Sequence, residues 1–146
     1  MNTISDNRNG TATFAFRTQK NLEFLVAAAE GGADVHPVSQ AVLALLGIIV
    51  FPWEHGAFDS VKRSKLPVLQ SHEGWPRWDM TGTRRVLELG ELVHVLRNAV
   101  AHGKIEFDSD SGDPSAVTIQ FSQDDWMGSI RADQLIEFCR RFMSTM

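Results

Sequence analysis

Arg97, Asn98 and His102 stand within one six-residue stretch and carry the side chains that metal-free phosphodiester chemistry needs. RNA is cut without a metal when its own 2′-hydroxyl attacks the neighbouring phosphate. A base working near neutral pH must take the hydroxyl proton, and histidine has the suitable pKa. A cation must meet the charge that grows on the phosphorane, and arginine offers a planar fork of donors for phosphate oxygens. Asn98 is placed to orient either partner. One Arg–His pair is sparse for two proton transfers. Two pairs brought together by a two-fold axis suffice, and a two-fold dimer is the commonest assembly. The plainer alternative is that Arg97 and His102 merely complement the dipole at a helix C-terminus and that Asn98 is an ordinary surface residue.

The spacing predicts a helix over Thr83 to His102, with Thr83 as its cap and Gly103 where a C′ glycine belongs. At about 100° per residue, Leu92, Val93, Leu96 and Val100 fall within about 60° of Leu89 and form an apolar stripe. Asn98 and His102 then point roughly 180° and 220° from Leu89, away from that stripe. Arg97 lies on the flank, where its long stem can be covered while the guanidinium swings outward.

The segment Leu96-Arg97-Asn98-Ala99-Val100-Ala101-His102-Gly103 resembles the signature of the HEPN superfamily, Arg-x(4–6)-His with a polar residue after the Arg. Phe16-Arg17-Thr18, Asn21-Leu22, Leu45-Leu46-Gly47, Val50-Phe51-Pro52-Trp53-Glu54 and Arg97–Phe107 extend the similarity, in order, to a plasmid- and phage-associated bacterial branch. The resemblance implies an all-α bundle, a homodimer pairing two motifs in one cleft, and metal-independent endoribonuclease activity without a cofactor; the alternative is a non-catalytic module that binds RNA, a nucleotide or a protein partner. Arg97 and His102 would carry catalysis with Asn98 in support. A toxin or anti-phage role is implied, with an antitoxin or regulatory protein as a further partner. Some members of the superfamily have a Tyr two residues after the His, which a nucleotidyltransferase modifies to silence them. Lys104 stands there in this chain, which has no Tyr at all, so that control is closed.

Other residues offer themselves to RNA. Lys62, Arg63 and Lys65 are followed by Trp75, Arg77, Trp78, Arg84 and Arg85, and cations interleaved with aromatics suit a single strand. The alternative is a long loop pinned to the domain by its tryptophans, with its charges solvated. Arg17, among Phe14, Phe16 and Leu22, reads as a phosphate contact in a cleft or as a partly buried structural residue. Lys104 reads as a phosphate contact or as a solvated hairpin lysine. Glu54-His55 lacks a second ligand pair at metal spacing and reads as part of a turn, so no metal site is expected. His94 either lines a dimer cleft or is simply exposed. Cys139 reads as core.

The elements that must carry these residues follow from periodicity and punctuation. Phe14 to Glu30 reads as a helix ended by Gly31-Gly32, and Val38 to Val50, after Pro37, as a helix apolar all round that Pro52 closes. Residues 52–83 read as a long irregular connection. Lys104–Phe107 and Ala116–Phe121 read as a β-hairpin, and Arg131 to Met143 as an amphipathic last helix. The expected fold is therefore mainly α. It is a four-helix bundle with a long loop after the second helix and a small β-hairpin before the last. Residues 1–11 are expected to be a flexible leader and 12–146 a single domain.

The composition sets limits on all of this. The chain has 146 residues, 43% hydrophobic and 22% charged, which is enough for one ordinary core. A single cysteine rules out an internal disulfide. Ala41 to Phe51, the longest apolar run, is short of the roughly 20 residues that span a bilayer. The first ten residues lack the apolar run of a signal peptide, so the expected location is the cytoplasm, with no membrane partner. The net charge of −4 argues against a uniformly basic nucleic-acid binder. The charge is uneven, however. Residues 62–104 hold eight Lys/Arg against four Asp/Glu, so a local, salt-sensitive RNA cleft is compatible with an acidic whole.

Overall fold

The computed structural model of the protein describes residues 7–145. Helix α1 covers Asn7–Glu30, so residues 7–11 of the expected leader lie within it, and residues 1–6 lie outside the described residues. Gly32, at φ +91°, turns the chain out of this helix. Helix α2 runs over Pro37–Glu54 and contains a wide π segment, Leu45–Val50. Pro52 does not close it. The π turn lies immediately upstream, where the proline lacks an N–H and its ring would crowd the carbonyl four residues back. This 18-residue helix is long and apolar enough to cross a membrane by length and composition, but half of it is buried inside the domain. Val38, Ala41, Ala44, Leu45, Ile48 and Ile49 are its core side. Gly47 lets α1 and α2 touch, because a Cβ there would lie 2.9 Å from Thr18 Oγ1.

The connection after α2 is not irregular throughout. It contains helix α3, Leu66–His72, and strand β1, Asp79–Gly82. Helix α4 covers Leu89–Ala101. Strands β2, Ile105–Phe107, β3, Thr118–Gln123, and β4, Trp126–Arg131, follow, and helix α5, Ala132–Met143, closes the chain. The expected four-helix bundle with one hairpin is therefore corrected. Among the described residues the fold is mixed, with five helices and a four-stranded antiparallel sheet in the order β1-β4-β3-β2.

The expected hairpin exists as β2–β3, with Ile105 opposite Phe121 and Phe107 opposite Ile119. A second hairpin, β3–β4, turns through Asp124-Asp125 with Asp124 at φ +49°. That pair lacks the glycine by which such turns are usually recognised. β1 then adds to β4, with Asp79 opposite Ser129 and Gly82 opposite Trp126. Alternation aims Ile119, Phe121, Trp126 and Ile130 inward, and the sheet packs this face on α4 and α5. Phe58, Trp75, Trp78, Phe138 and Phe142 form an aromatic cluster against α5.

Candidate active site

Helix α4 begins later than the sequence predicts. Thr83 is not its cap. Residues 64–66 lie beside 87–89 in extended form, with Leu66 N–H donating to Leu87 O at 2.8 Å and Leu89 N–H to Ser64 O at 2.9 Å. The cap is Glu88, whose carboxylate accepts an N–H from the first turn, while Glu91 Oε1 accepts the backbone N–H of Glu88 at 3.1 Å.

Leu89, Leu92, Val93 and Leu96 are buried as the stripe requires. Val95 and Ala99 are buried as well, because α4 is flanked by both β3 and the π segment of α2. What remains in solvent is a narrow edge. His94, Arg97 and His102 are exposed on it, and Asn98 is half-buried.

The C-terminal end of α4 is closed by a Schellman arrangement. His102 is the C-cap and Gly103 takes φ +65°. Lys104 N–H reaches back to Ala99 O at 2.8 Å, and Ser122 N–H donates to Lys104 O at 3.1 Å. The backbone carrying His102 is thus anchored to the sheet while its imidazole stays in solvent.

Two side-chain contacts dress the motif. Arg97 Nη1 donates to Glu54 Oε1 at 2.8 Å, which ties the motif to the end of α2. Asn98 Nδ2 lies 3.3 Å from His94 Nε2, one turn back on α4. Glu54, expected in a turn, thus stands beside Arg97, and His94, expected in a dimer cleft or simply exposed, stands beside Asn98. Nothing in the local spacing marks Glu54 as the partner of Arg97, which is 43 positions away and becomes its neighbour only when α2 packs on α4.

The predicted RNA contacts separate. Arg17 lines a groove of about 590 Å³ between α1 and α2, with Asn21, Gln40, Leu43 and the rings of Phe14 and Phe51. Arg84 lines another of about 390 Å³ with Trp53, Lys62, Arg63 and His94. Lys104 and Arg77 are exposed. Trp78 is corrected: its ring is 6% exposed, packed on Phe121 and Phe138, and presents no face to a base. Trp75 is equally enclosed, so the tryptophans pin this segment and its cations stay outside. Among the described residues no group of three His, Cys, Asp or Glu is placed to hold a metal ion.

A comparison with known families matches residues 1–146, the whole chain, to the HEPN family described as HEPN pEK499 p136. The chain belongs to the HEPN family. No curated protein and no solved structure matches it. HEPN domains are often ribonucleases, and in this one the Arg97–His102 motif lies on the solvent edge of α4.

Proposed function

We propose that this HEPN protein is a metal-independent endoribonuclease of the cytoplasm that acts as a homodimer. The observation that carries the reading is the placement of Arg97, Asn98 and His102 on the solvent edge of a helix otherwise packed in the core.

In the reaction, a His102 imidazole takes the proton of the 2′-hydroxyl as the 2′-oxygen bonds to phosphorus. The bond from phosphorus to the 5′-oxygen breaks, and that oxygen receives a proton from a second imidazole, His102 of the other subunit. The products are a 2′,3′-cyclic phosphate and a 5′-hydroxyl. Arg97 holds the non-bridging oxygens as charge gathers on them. Each chain supplies one Arg–His pair, and exposed Phe14, Leu43, Leu46 and Phe51 offer an apolar face for a second copy. Arg17, Arg77, Arg84 and Lys104 would contact the RNA. The biological setting is that of a toxin or anti-phage factor restrained by a regulatory protein.

The test is cleavage of RNA by pure protein in EDTA. Arg97→Ala and His102→Ala are each expected to lose about 100-fold or more in kcat, as removal of one transition-state donor does. Equal cutting by wild type and both variants would overturn the assignment. RNA bound by wild type but never cut would assign a non-catalytic HEPN module instead.

A further inference from the structure

The groove of about 390 Å³ beside α4 is lined by Trp53, Lys62, Arg63, Arg84, Gly90 and His94. It begins where the motif ends. Gly90, His94, Asn98 and His102 follow one another at four-residue spacing, so they form a polar row along the outer edge of the helix. From Gly90 to His102 the row is ~18 Å long at 1.5 Å per residue, the reach of several nucleotides. His94 is the joint, since it lines the groove and also meets Asn98 at 3.3 Å. Trp53, in the groove wall, is the chain neighbour of Glu54, the partner of Arg97.

Cations outnumber carboxylates in the groove. Its two carboxylates, Glu88 and Glu91, each have a partner outside the three cations, and Lys65, helped by Arg63 nearby, holds the Glu88 carboxyl below the ordinary range. Glu88 Oε2 takes Lys65 Nζ at 2.6 Å, and Glu91 Oε1 takes the backbone of Glu88. Lys62 is only loosely matched by Asp59, at 3.7 Å, and Arg84 Nη1 donates to a neutral amide, Gln123 Oε1, at 3.1 Å. Lys62, Arg63 and Arg84 thus face one opening against two carboxylates, one of which Lys65 already pairs, which leaves the groove a positive excess. The opening itself depends on Gly90, whose N–H donates to Lys62 O at 2.8 Å and where a Cβ would meet that same oxygen at 2.9 Å.

We propose that Lys62, Arg63 and Arg84 form a second phosphate site, which holds the backbone of single-stranded RNA several nucleotides from the phosphate being cut. The strand runs from Arg97 and His102 along the row of Asn98 and His94 into the groove. The direction rests on the ribonuclease reading; the site itself does not. It makes the enzyme favour longer single strands over short ones, through charge and without regard to base sequence.

The test measures binding in the His102→Ala background, where cutting is slowed about 100-fold or more, with a dinucleotide and an oligonucleotide of roughly ten residues, within the range of groove-bound single strands. The oligonucleotide is expected to bind more tightly. Lys62→Ala/Arg63→Ala should weaken it about tenfold and flatten its salt dependence by about 1.4 in log–log slope, at about 0.7 per phosphate on a single strand. Lys20→Ala, an exposed cation lost from α1, is the control for net charge and should change neither. Lys62→Gln/Arg63→Gln repeats the test with side chains of similar length. An undiminished preference for the longer strand in both double variants overturns the site, as does equal weakening by Lys20→Ala. Wild type that cuts RNA with no length preference overturns the site and leaves the ribonuclease reading intact. Wild type that cuts nothing, beside length-dependent binding that the double variants abolish, overturns the ribonuclease reading and supports the site.

Discussion

Glu54 Oε1 and Arg97 Nη1 are 2.8 Å apart, so the carboxylate at the end of α2 holds one arm of the guanidinium proposed to clamp phosphate. Both side chains are about half exposed, at 49% and 48%, and such a pair contributes at most about 1 kcal/mol to stability. Its consequence is orientation and competition. A phosphate must share Arg97 with Glu54 or displace it. Glu54→Gln is therefore expected to tighten RNA binding about threefold to tenfold, because a competing charge is gone. The same change should lower kcat, because the fork is no longer aimed. Steady-state kinetics that separate KM from kcat check this, and a fall in kcat with no gain in affinity would leave Glu54 a purely structural partner.

Trp78→Ala should destabilise the protein by about 3–5 kcal/mol, the usual cost of emptying a large aromatic site. The ring packs on Phe121 and Phe138 with centroids 5.6 and 5.4 Å away. Trp78→Phe should recover much of the loss, because the buried indole N–H has no hydrogen-bond partner to forfeit. Denaturant midpoints measure both. RNA affinity is expected to be the same for Trp78→Phe as for wild type, since the ring is closed to bases.

Acid should weaken the junction of α1 and α5. Arg140 grips Glu23 with two nitrogens, Nη2 to Oε1 at 2.6 Å and Nε to Oε2 at 2.9 Å. That grip holds the Glu23 carboxyl below its ordinary range. A carboxyl depressed in the folded state adds stability that is complete above its unfolded pKa and is lost as pH falls through the folded one. The loss is expected below about pH 4.3, the ordinary glutamate value, and is small because the pair is partly exposed. Melting temperatures of wild type and Glu23→Gln should differ at pH 7 and converge at low pH.

Cys139 should resist thiol reagents in the native protein. It is fully buried on the inner face of α5, and burial pushes its thiol up to about 12. Labelling is expected only at the rate of unfolding, and adding denaturant should release one reactive thiol per chain. Fast labelling without denaturant would contradict the packing of α5.

Several features of the chain have local causes. The stripe of Leu89, Leu92, Val93 and Leu96, the glycine stop at Gly103 and the pairing of 105–107 with 119–121 all depend on residues near one another in sequence. So does the exposure of Arg97 and His102, which follows from a helix having one apolar side. The amino-acid sequence by itself therefore determined the motif, the family and the helix that carries the candidate site. The tertiary structure decided what no local pattern encodes. β1 has only four residues, too few for periodicity to speak, and is a strand because β4 offers it an edge. Trp78 left the RNA surface because α5 brought Phe138 to it. Glu54 joined Arg97 because α2 packs on α4, and a partner 43 positions away leaves no mark in the spacing of either segment.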